Sequence, residues 1–257
     1  MSLLCSLPVV LASGSFGSSA RVQDLAPPEP ADLRIKSYNL NYGLAGDPGT
    51  LAAVGAGAPD LVLLQETTPA WEAAIRGAYA QDFAELAFIE GPGAGGVGLL
   101  SRFPVVSEEI LPSPIGWFPA WVLVVQTPQG PLQLLNLHLK PPYAERGGFL
   151  VGAFTTGDER LEELDVYLSF LDPGLPTVVL GDFNEQRGPS LALLQGLGFS
   201  DALPAGVDTW RWRVAGVQID AALDHIFGTP DLRVVSVEVQ DLGRSDHLPV
   251  MVGFVVE

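Results

Sequence analysis

Residues 177–185 read TVVLGDFNE. An apolar, β-branched run suits a buried strand, and it ends abruptly in a glycine, the carboxylate of Asp182 and the amide of Asn184. Strand ends are where α/β sheets gather ligand-binding groups. The same transition recurs at YNLN (Asn39, Asn41), LLQE (Gln65, Glu66), LNLHLK (Asn136, His138) and GRSDHLPV (Asp246, His247). Taken singly, these are a turn residue, a helix-entry charge and satisfied core imidazoles. Taken together, they point to one site assembled from strand ends, and carboxylates with amide oxygens form the ligand set of a hard cation such as magnesium.

From Leu33 onward, short apolar runs alternate with turn clusters, without a repeat. LRIKSYNL, DLVLLQE, FAELAFIE, GVGLLSRF, AWVLVVQT and LQLLNLHL predict strands. Among them lies a helix, TPAWEAAIRGAY, with Thr68 as its cap and Pro69 in its first turn. A Gly-rich connection leads to a helix in DERLEELDVYLSFL, the strand TVVLGDFN and a helix in SLALLQGLG. Strands near TWRWR, ALDHIF, LRVVSVEV and HLPVMVGFVV follow. Both halves carry strands with inserted helices, which predicts two packed sheets with helices outside them. The tryptophans are expected in the core.

A chain of 257 residues, 47% hydrophobic, can build one large core. We expect a tail at residues 1–32 and one folded domain at 33–257, acting as a monomer. Thirteen basic against 30 acidic residues give a net charge of -17, and Lys36 and Lys140 are the only lysines. No broad basic face can be built from these, so nucleic acid is a disfavoured partner. Cys5 stands alone, which excludes an intrachain disulfide. No apolar run is long enough for a transmembrane helix. Within residues 1–20, LLCSLPVVLA followed by SGSFGSSA reads as a clipped export signal lacking its basic start, which would make the protein periplasmic or secreted; read as a plain tail, it leaves the protein cytoplasmic. PPEPAD reads as a stiff spacer.

The motifs QE, NxH, GDFN, LDHI and SDH, in this order, resemble the superfamily of endonucleases, exonucleases and phosphatases. GDFN with a late SDH is specific in combination, and the resemblance spans Leu33 to the C-terminus. It implies an α+β fold, a four-layer α/β/β/α sandwich of two mixed sheets with outer helices. It also implies hydrolysis of a phosphate ester with Mg²⁺ or Mn²⁺ as cofactor. By resemblance, Glu66 binds the metal, Asn39 supports the metal or its water, and Asp246, the terminal acid of the motif set, is counted with them as a metal residue. Asp182 orients and deprotonates the attacking water, Asn184 holds a phosphoryl oxygen and His138 contacts the phosphate. Asp224 pairs with His247, which acts on water. No role carries over to His225, which reads as a surface histidine or one that supports the site from behind.

The segment Pro141–Glu159 is long, Gly-rich and aromatic, and is expected to form a loop at the mouth of the site. Lys140 and Arg146 are the candidates there for contacting a second phosphate or a headgroup. The acidic surface and the export signal favour a small-molecule or lipid-headgroup ester as substrate. A nonspecific nuclease would share every catalytic residue, and a noncatalytic binding module would be expected to have lost at least one of Glu66, Asp182, Asp246 and His247.

Overall fold

The computed structural model describes residues 30–143, 155–214 and 216–257. Two six-stranded sheets form the framework. The first contains β1 (Leu33–Asn39), β2 (Leu61–Thr67), β3 (Glu85–Ile89), β4 (Gly96–Ser101), β13 (Leu232–Val239) and β14 (Val250–Val256), in the order β13-β14-β1-β2-β4-β3. The second contains β5 (Val105–Leu111), β6 (Ala120–Thr127), β7 (Gly130–His138), β8 (Thr177–Asp182), β9 (Ser200–Asp201) and β12 (Asp224–Gly228), in the order β5-β6-β7-β8-β12-β9. Each sheet holds a parallel pair at its centre, β1 with β2 and β7 with β8, flanked by antiparallel neighbours.

A parallel pair needs a crossover. The first crossover carries α1 (Pro48–Gly55) and the second carries α3 (Gly157–Leu168). Two further helices are α2 (Pro69–Tyr79) and α4 (Pro189–Gly196). Thr68 Oγ accepts from Trp71 N–H at 3.2 Å and so caps α2, whose Trp71 and Ile75 pack with Val62, Leu64 and Leu100 on the outer face of the first sheet. Leu164 and Tyr167 of α3 and Leu191 and Leu194 of α4 cover the outer face of the second sheet, against Leu135, Val179 and Phe227. Between the sheets, Ile35, Leu63, Leu99, Leu123, Leu134, Leu180, Ile226 and Val252 form the central core. The result is the four-layer α/β/β/α sandwich.

Strand parity positions the site. Alternate residues of a strand face the same way, so the inward series continues past the apolar core into polar groups. In β1 it runs Leu33, Ile35, Ser37, Asn39; in β2, Leu61, Leu63, Gln65; in β7, Leu132, Leu134, Asn136, His138; and in β8, Val178, Leu180, Asp182. Asn39 pairs with Gln65, His138 with Asp182, and Asp182 with Asp224 in three ladders, which puts the polar ends level within each sheet. A layer of hydrogen bonds seals the transition: Gln65 Nε2 donates to Asn136 Oδ1 at 2.8 Å, and Asn136 Nδ2 donates to the Leu64 carbonyl at 3.1 Å. The opposite parity of β1 carries Lys36, fully buried beneath α1.

Several elements differ from the sequence-based expectation. Helix α1 and strands β5, β9 and β11 (Val217–Ala221) are additional. The run TWRWR does form a strand, β10 (Trp210–Val214), but it belongs to neither large sheet and pairs with β11 as a separate hairpin. Trp117 and Trp212 are exposed rather than in the core. The segment expected as a loop up to Glu159 turns helical at Gly157. Residues 1–29, which include the export-signal reading, lie outside the described residues, as does Arg146.

Candidate active site

Asp182 is the hub. Its Oδ2 accepts from Asn39 Nδ2 at 3.0 Å and lies 3.4 Å from His138 Nε2 and 3.5 Å from His247 Nε2. Its Oδ1 accepts the Asn184 N–H at 2.9 Å. Gly181 precedes it at φ 138°, and a Cβ there would collide with the Leu137 carbonyl; only glycine lets β8 press against β7 at this level.

Glu66 reaches the same place by a different device. It is one residue out of phase with Gln65 and should face the outer layer. The β2–β4 ladder slips between Gln65 and Thr67, and Glu66 takes up φ 57°. This bulge re-aims its side chain, whose Oε1 accepts from Asn39 Nδ2 at 3.1 Å and whose Oε2 accepts the Tyr42 N–H at 3.0 Å. Gly96 faces the bulge because a Cβ there would strike the Thr67 carbonyl. Left-handed backbone also occurs at Asn41 (φ 59°) and Asn184 (φ 50°), so three non-glycine residues at this site carry strain of the kind found at functional sites.

Asn39 thus bridges two carboxylates. The Asn41 N–H donates to Asn39 Oδ1 at 3.0 Å, which fixes the amide with its nitrogen between Glu66 and Asp182. Asp246 is held from both sides, by Asn41 Nδ2 at 2.9 Å and Trp210 Nε1 at 2.9 Å. His247 Nδ1 lies 2.9 Å from Asp224 Oδ2, and Thr209 Oγ accepts the backbone N–H of Asp224 at 2.9 Å. Asn184 Nδ2 donates to the Leu139 carbonyl at 3.0 Å, which leaves its second N–H for another acceptor.

Burial and charge drive these groups apart. Burial lifts the Asp182 and Glu66 carboxyls above the usual range; the two histidines beside Asp182, and the Tyr42 and Asn39 donors on Glu66, offset only part of it. Burial pulls His138 down, outweighing the attraction of Asp182. At His247 burial acts in the same direction, but Asp224 and Asp182 outweigh it and push the imidazole up to about 10. Two histidines touching one carboxylate oxygen are therefore tuned in opposite directions, which suits different roles.

Asp182, Asp224 and His247 bring ligand-capable atoms within 4.8 Å of one another. All three are buried and are committed to the Asp224–His247–Asp182 chain. Glu66 and Asp246 are half-buried and accept only from neutral N–H groups. That oxygen-rich, uncompensated pair fits a hard divalent cation.

The structure brings Asn39, Glu66, His138, Asp182, Asn184, Asp224, Asp246 and His247 together through these contacts. Lys140 stands apart: its ammonium is paired with Glu159 at 2.6 Å and faces the Trp117 ring at 5.5 Å. His225 faces the outer layer, with Nδ1 2.8 Å from Asp201 Oδ2 and Nε2 3.0 Å from the Glu185 carbonyl. Sequence reasoning missed Trp210, which holds Asp246, and Phe118, whose ring stacks on His138 at 4.2 Å. A Trp two residues from another Trp, each followed by Arg, was the available signal for the first; Phe118 gave none.

The chain belongs to the endonuclease/exonuclease/phosphatase family, which it matches over residues 37–247. Enzymes of this family hydrolyse phosphate esters. Among solved structures, an endonuclease/exonuclease/phosphatase from Beutenbergia cavernae superposes with a TM-score of 0.68 at 22% identity, over 87% of this chain and 71% of the other. D. rerio TDP2 complexed with single-strand DNA product gives 0.66 at 20% identity, over 87% and 99%. Beta toxin from Staphylococcus aureus gives 0.60 at 14% identity, over 86% and 99%. These likenesses show the fold. A search of curated proteins returned no significant match.

Proposed function

We propose that the protein is a metal-dependent hydrolase of phosphate esters whose substrate is a small molecule or a lipid headgroup. The observation that carries this reading is the convergence of Asn39, His138 and His247 on one buried oxygen of Asp182, beside the half-buried Glu66. Glu66, supported by Asn39 and with Asp246 nearby, would hold Mg²⁺ or Mn²⁺. When bound, that cation would supply positive charge to the phosphoryl and leaving oxygens without moving a proton.

The remaining work falls to the side chains. Asp182 Oδ2 orients the attacking water in line with the scissile bond and accepts its proton as the new oxygen–phosphorus bond forms and the ester bond breaks. Its raised affinity for protons, set by burial, suits that step. Asp224 fixes the ring orientation and tautomer of His247, so that Nε2 faces the reacting centre. His138 and the free N–H of Asn184 contact phosphoryl oxygens.

A nuclease would use the same residues, and the DNA product belongs to the D. rerio structure. The net charge of -17 favours the smaller substrate, because neutralising successive phosphates of a polymer takes a basic surface. The test is purified protein with Mg²⁺ or Mn²⁺ against sphingomyelin, phosphoinositides, a chromogenic phosphodiester, plasmid DNA and RNA. Turnover of the first three above the polymers is expected. Cleavage confined to DNA or RNA would replace the proposal with the nuclease reading, and no turnover of any ester would remove it.

A further inference from the structure

Beside the catalytic cluster lies a cavity of about 560 Å³ between the β10–β11 hairpin and the segment after β8. Asn184 and Trp210 line it and also touch the cluster, Asn184 through Asp182 and Trp210 through Asp246, so cavity and cluster are contiguous. Trp210 and Ile219 contribute apolar surface to its lining, and Arg160 and Arg187 contribute the positive charge.

Acidic residues outnumber basic ones 30 to 13, so carboxylate partners are plentiful in this chain. Arg76, Arg102, Lys140, Arg211, Arg233 and Arg244 all pair with carboxylates. Among the described residues, Arg34, Lys36 and Arg213 bond to neutral groups instead, and Arg160 and Arg187, the two bases that line this cavity, have no carboxylate pair although Glu185 and Asp220 line it too. Glu185 is turned to the Ser190 N–H at 3.2 Å, and Asp220 accepts from Gln218 Nε2 with both oxygens. Arg160 is 3% exposed. Its Nη1 donates to Thr156 Oγ at 2.7 Å and to the Lys140 carbonyl at 3.4 Å, while its buried Nε has no hydrogen-bond partner. A buried guanidinium held in place with donors to spare costs stability unless an oxyanion completes it.

We propose that this cavity is a subsite for a second phosphate group of the substrate, held by Arg160 and Arg187 next to the scissile phosphate at Asn184, with the group between the two phosphates lying against Trp210 and Ile219. The proposal rests on the phosphoesterase reading and narrows it to esters that carry two phosphates. The role assigned on sequence grounds to Lys140 falls to Arg160, because Lys140 is engaged by Glu159.

The test compares thymidine 5′-(p-nitrophenyl phosphate) with the same compound bearing a 3′-phosphate, following nitrophenolate release with Mg²⁺ or Mn²⁺. The 3′-phosphorylated ester should show at least a ~10-fold higher kcat/KM, about the effect of one charge-assisted contact. Arg187→Ala, at an exposed position, and Arg160→Gln should each erase that preference and leave the simpler ester unchanged. A metal-free measurement runs alongside: millimolar inorganic phosphate should raise the Tm of the wild type and not of the two variants. Equal turnover of the two esters, or equal losses on both in the variants, would overturn the subsite. If the wild type cleaves neither ester, the phosphoesterase reading fails for these substrates. The phosphate-dependent Tm then decides the subsite by itself, a shift lost in Arg187→Ala supporting it and an absent shift ending it.

Discussion

His247 is clamped between two carboxylates, with Nδ1 2.9 Å from Asp224 Oδ2 and Nε2 3.5 Å from Asp182 Oδ2. Asp224 and Asp182 are direct ladder partners on β12 and β8, so the two anions and the ring between them form one unit. Residues that act as a unit give non-additive losses. His247→Ala should lower kcat by at least ~100-fold, the scale of losing a general acid or base, with little change in KM. Asp224→Asn should reproduce much of that loss, and the double variant should be scarcely worse than His247→Ala alone. Losses that multiply in the double variant would show that the pair does not work together.

His138 touches the same Asp182 oxygen but is tuned in the opposite direction, and its ring is packed under Phe118. His138→Ala should weaken both substrate affinity and turnover through loss of a phosphate contact. Steady-state kinetics on any accepted ester separate this from the His247 variant. A pure kcat effect at His138 would contradict the assignment.

The metal reading is checked at Glu66. Activity should vanish with EDTA and return on adding Mg²⁺ or Mn²⁺. Glu66→Gln keeps the acceptor for the Tyr42 N–H but removes the charge, so Mn²⁺ affinity measured by calorimetry should fall by at least ~10-fold while Tm in the absence of metal stays level or rises. The rise follows from burial, which penalises the charged carboxylate. Unchanged Mn²⁺ affinity would place the cation elsewhere.

Most of this geometry was legible because β-strand parity is a short-range rule. Ser37 and Asn39, Asn136 and His138, and Asp182 continue inward-facing series that the apolar residues before them establish. What parity could not give was Glu66, whose aim depends on a bulge against Gly96, although the motif containing it was clear. Helix α1 was hidden in PGTLAAVG, where glycines and a threonine dilute the pattern; the fold supplies its caps through Asp47 and Lys36. Strand β5 reads VVSEEIL, an edge strand exposed along most of its length, so no apolar alternation marks it. Nor does the sequence separate a core role for Trp210 from its hydrogen bond to the distant Asp246, since both leave the same local signature.

Lys36 offers a stability test remote from the cluster. Its ammonium is completely buried and donates to the carbonyls of Ala53 and Ala56 at the end of α1 and to Gln240 Oε1, at 2.8, 2.6 and 2.9 Å. It caps the negative end of the helix dipole, although burial pulls its pKa down to about 8. Lys36→Met relieves that desolvation but orphans three acceptors at about 1–3 kcal/mol each. The orphans should win, with a net loss on the order of 2 kcal/mol in urea unfolding and normal kcat in the folded fraction. A variant as stable as the wild type would show that the cap contributes nothing net.

Glu163 supplies the pH test. It is fully buried on α3, where Oε1 accepts from Ser113 Oγ at 2.7 Å and Oε2 accepts the Lys140 N–H at 2.8 Å. Burial pushes its carboxyl up from 4.5 to about 7, against the pull of those donors and of the Lys140 and Arg160 charges. A carboxyl whose folded pKa is raised binds its proton more tightly in the native state. Its contribution to stability is therefore complete below about 4.5 and is lost as the pH climbs through 7. The full displacement corresponds to about 3 kcal/mol, of which roughly 2–3 kcal/mol falls between pH 5 and pH 8. Glu163→Gln carries a permanent neutral donor and acceptor in the same place, and the Ser113 hydroxyl can reverse to accept from it. The variant should match or trail the wild type at pH 5 and gain on it by about 2 kcal/mol at pH 8, read from urea unfolding at the two pH values. Parallel stability curves for the two proteins would mean that Glu163 stays ionised in the fold and that its two donors, with Lys140 and Arg160, offset the cost of burial.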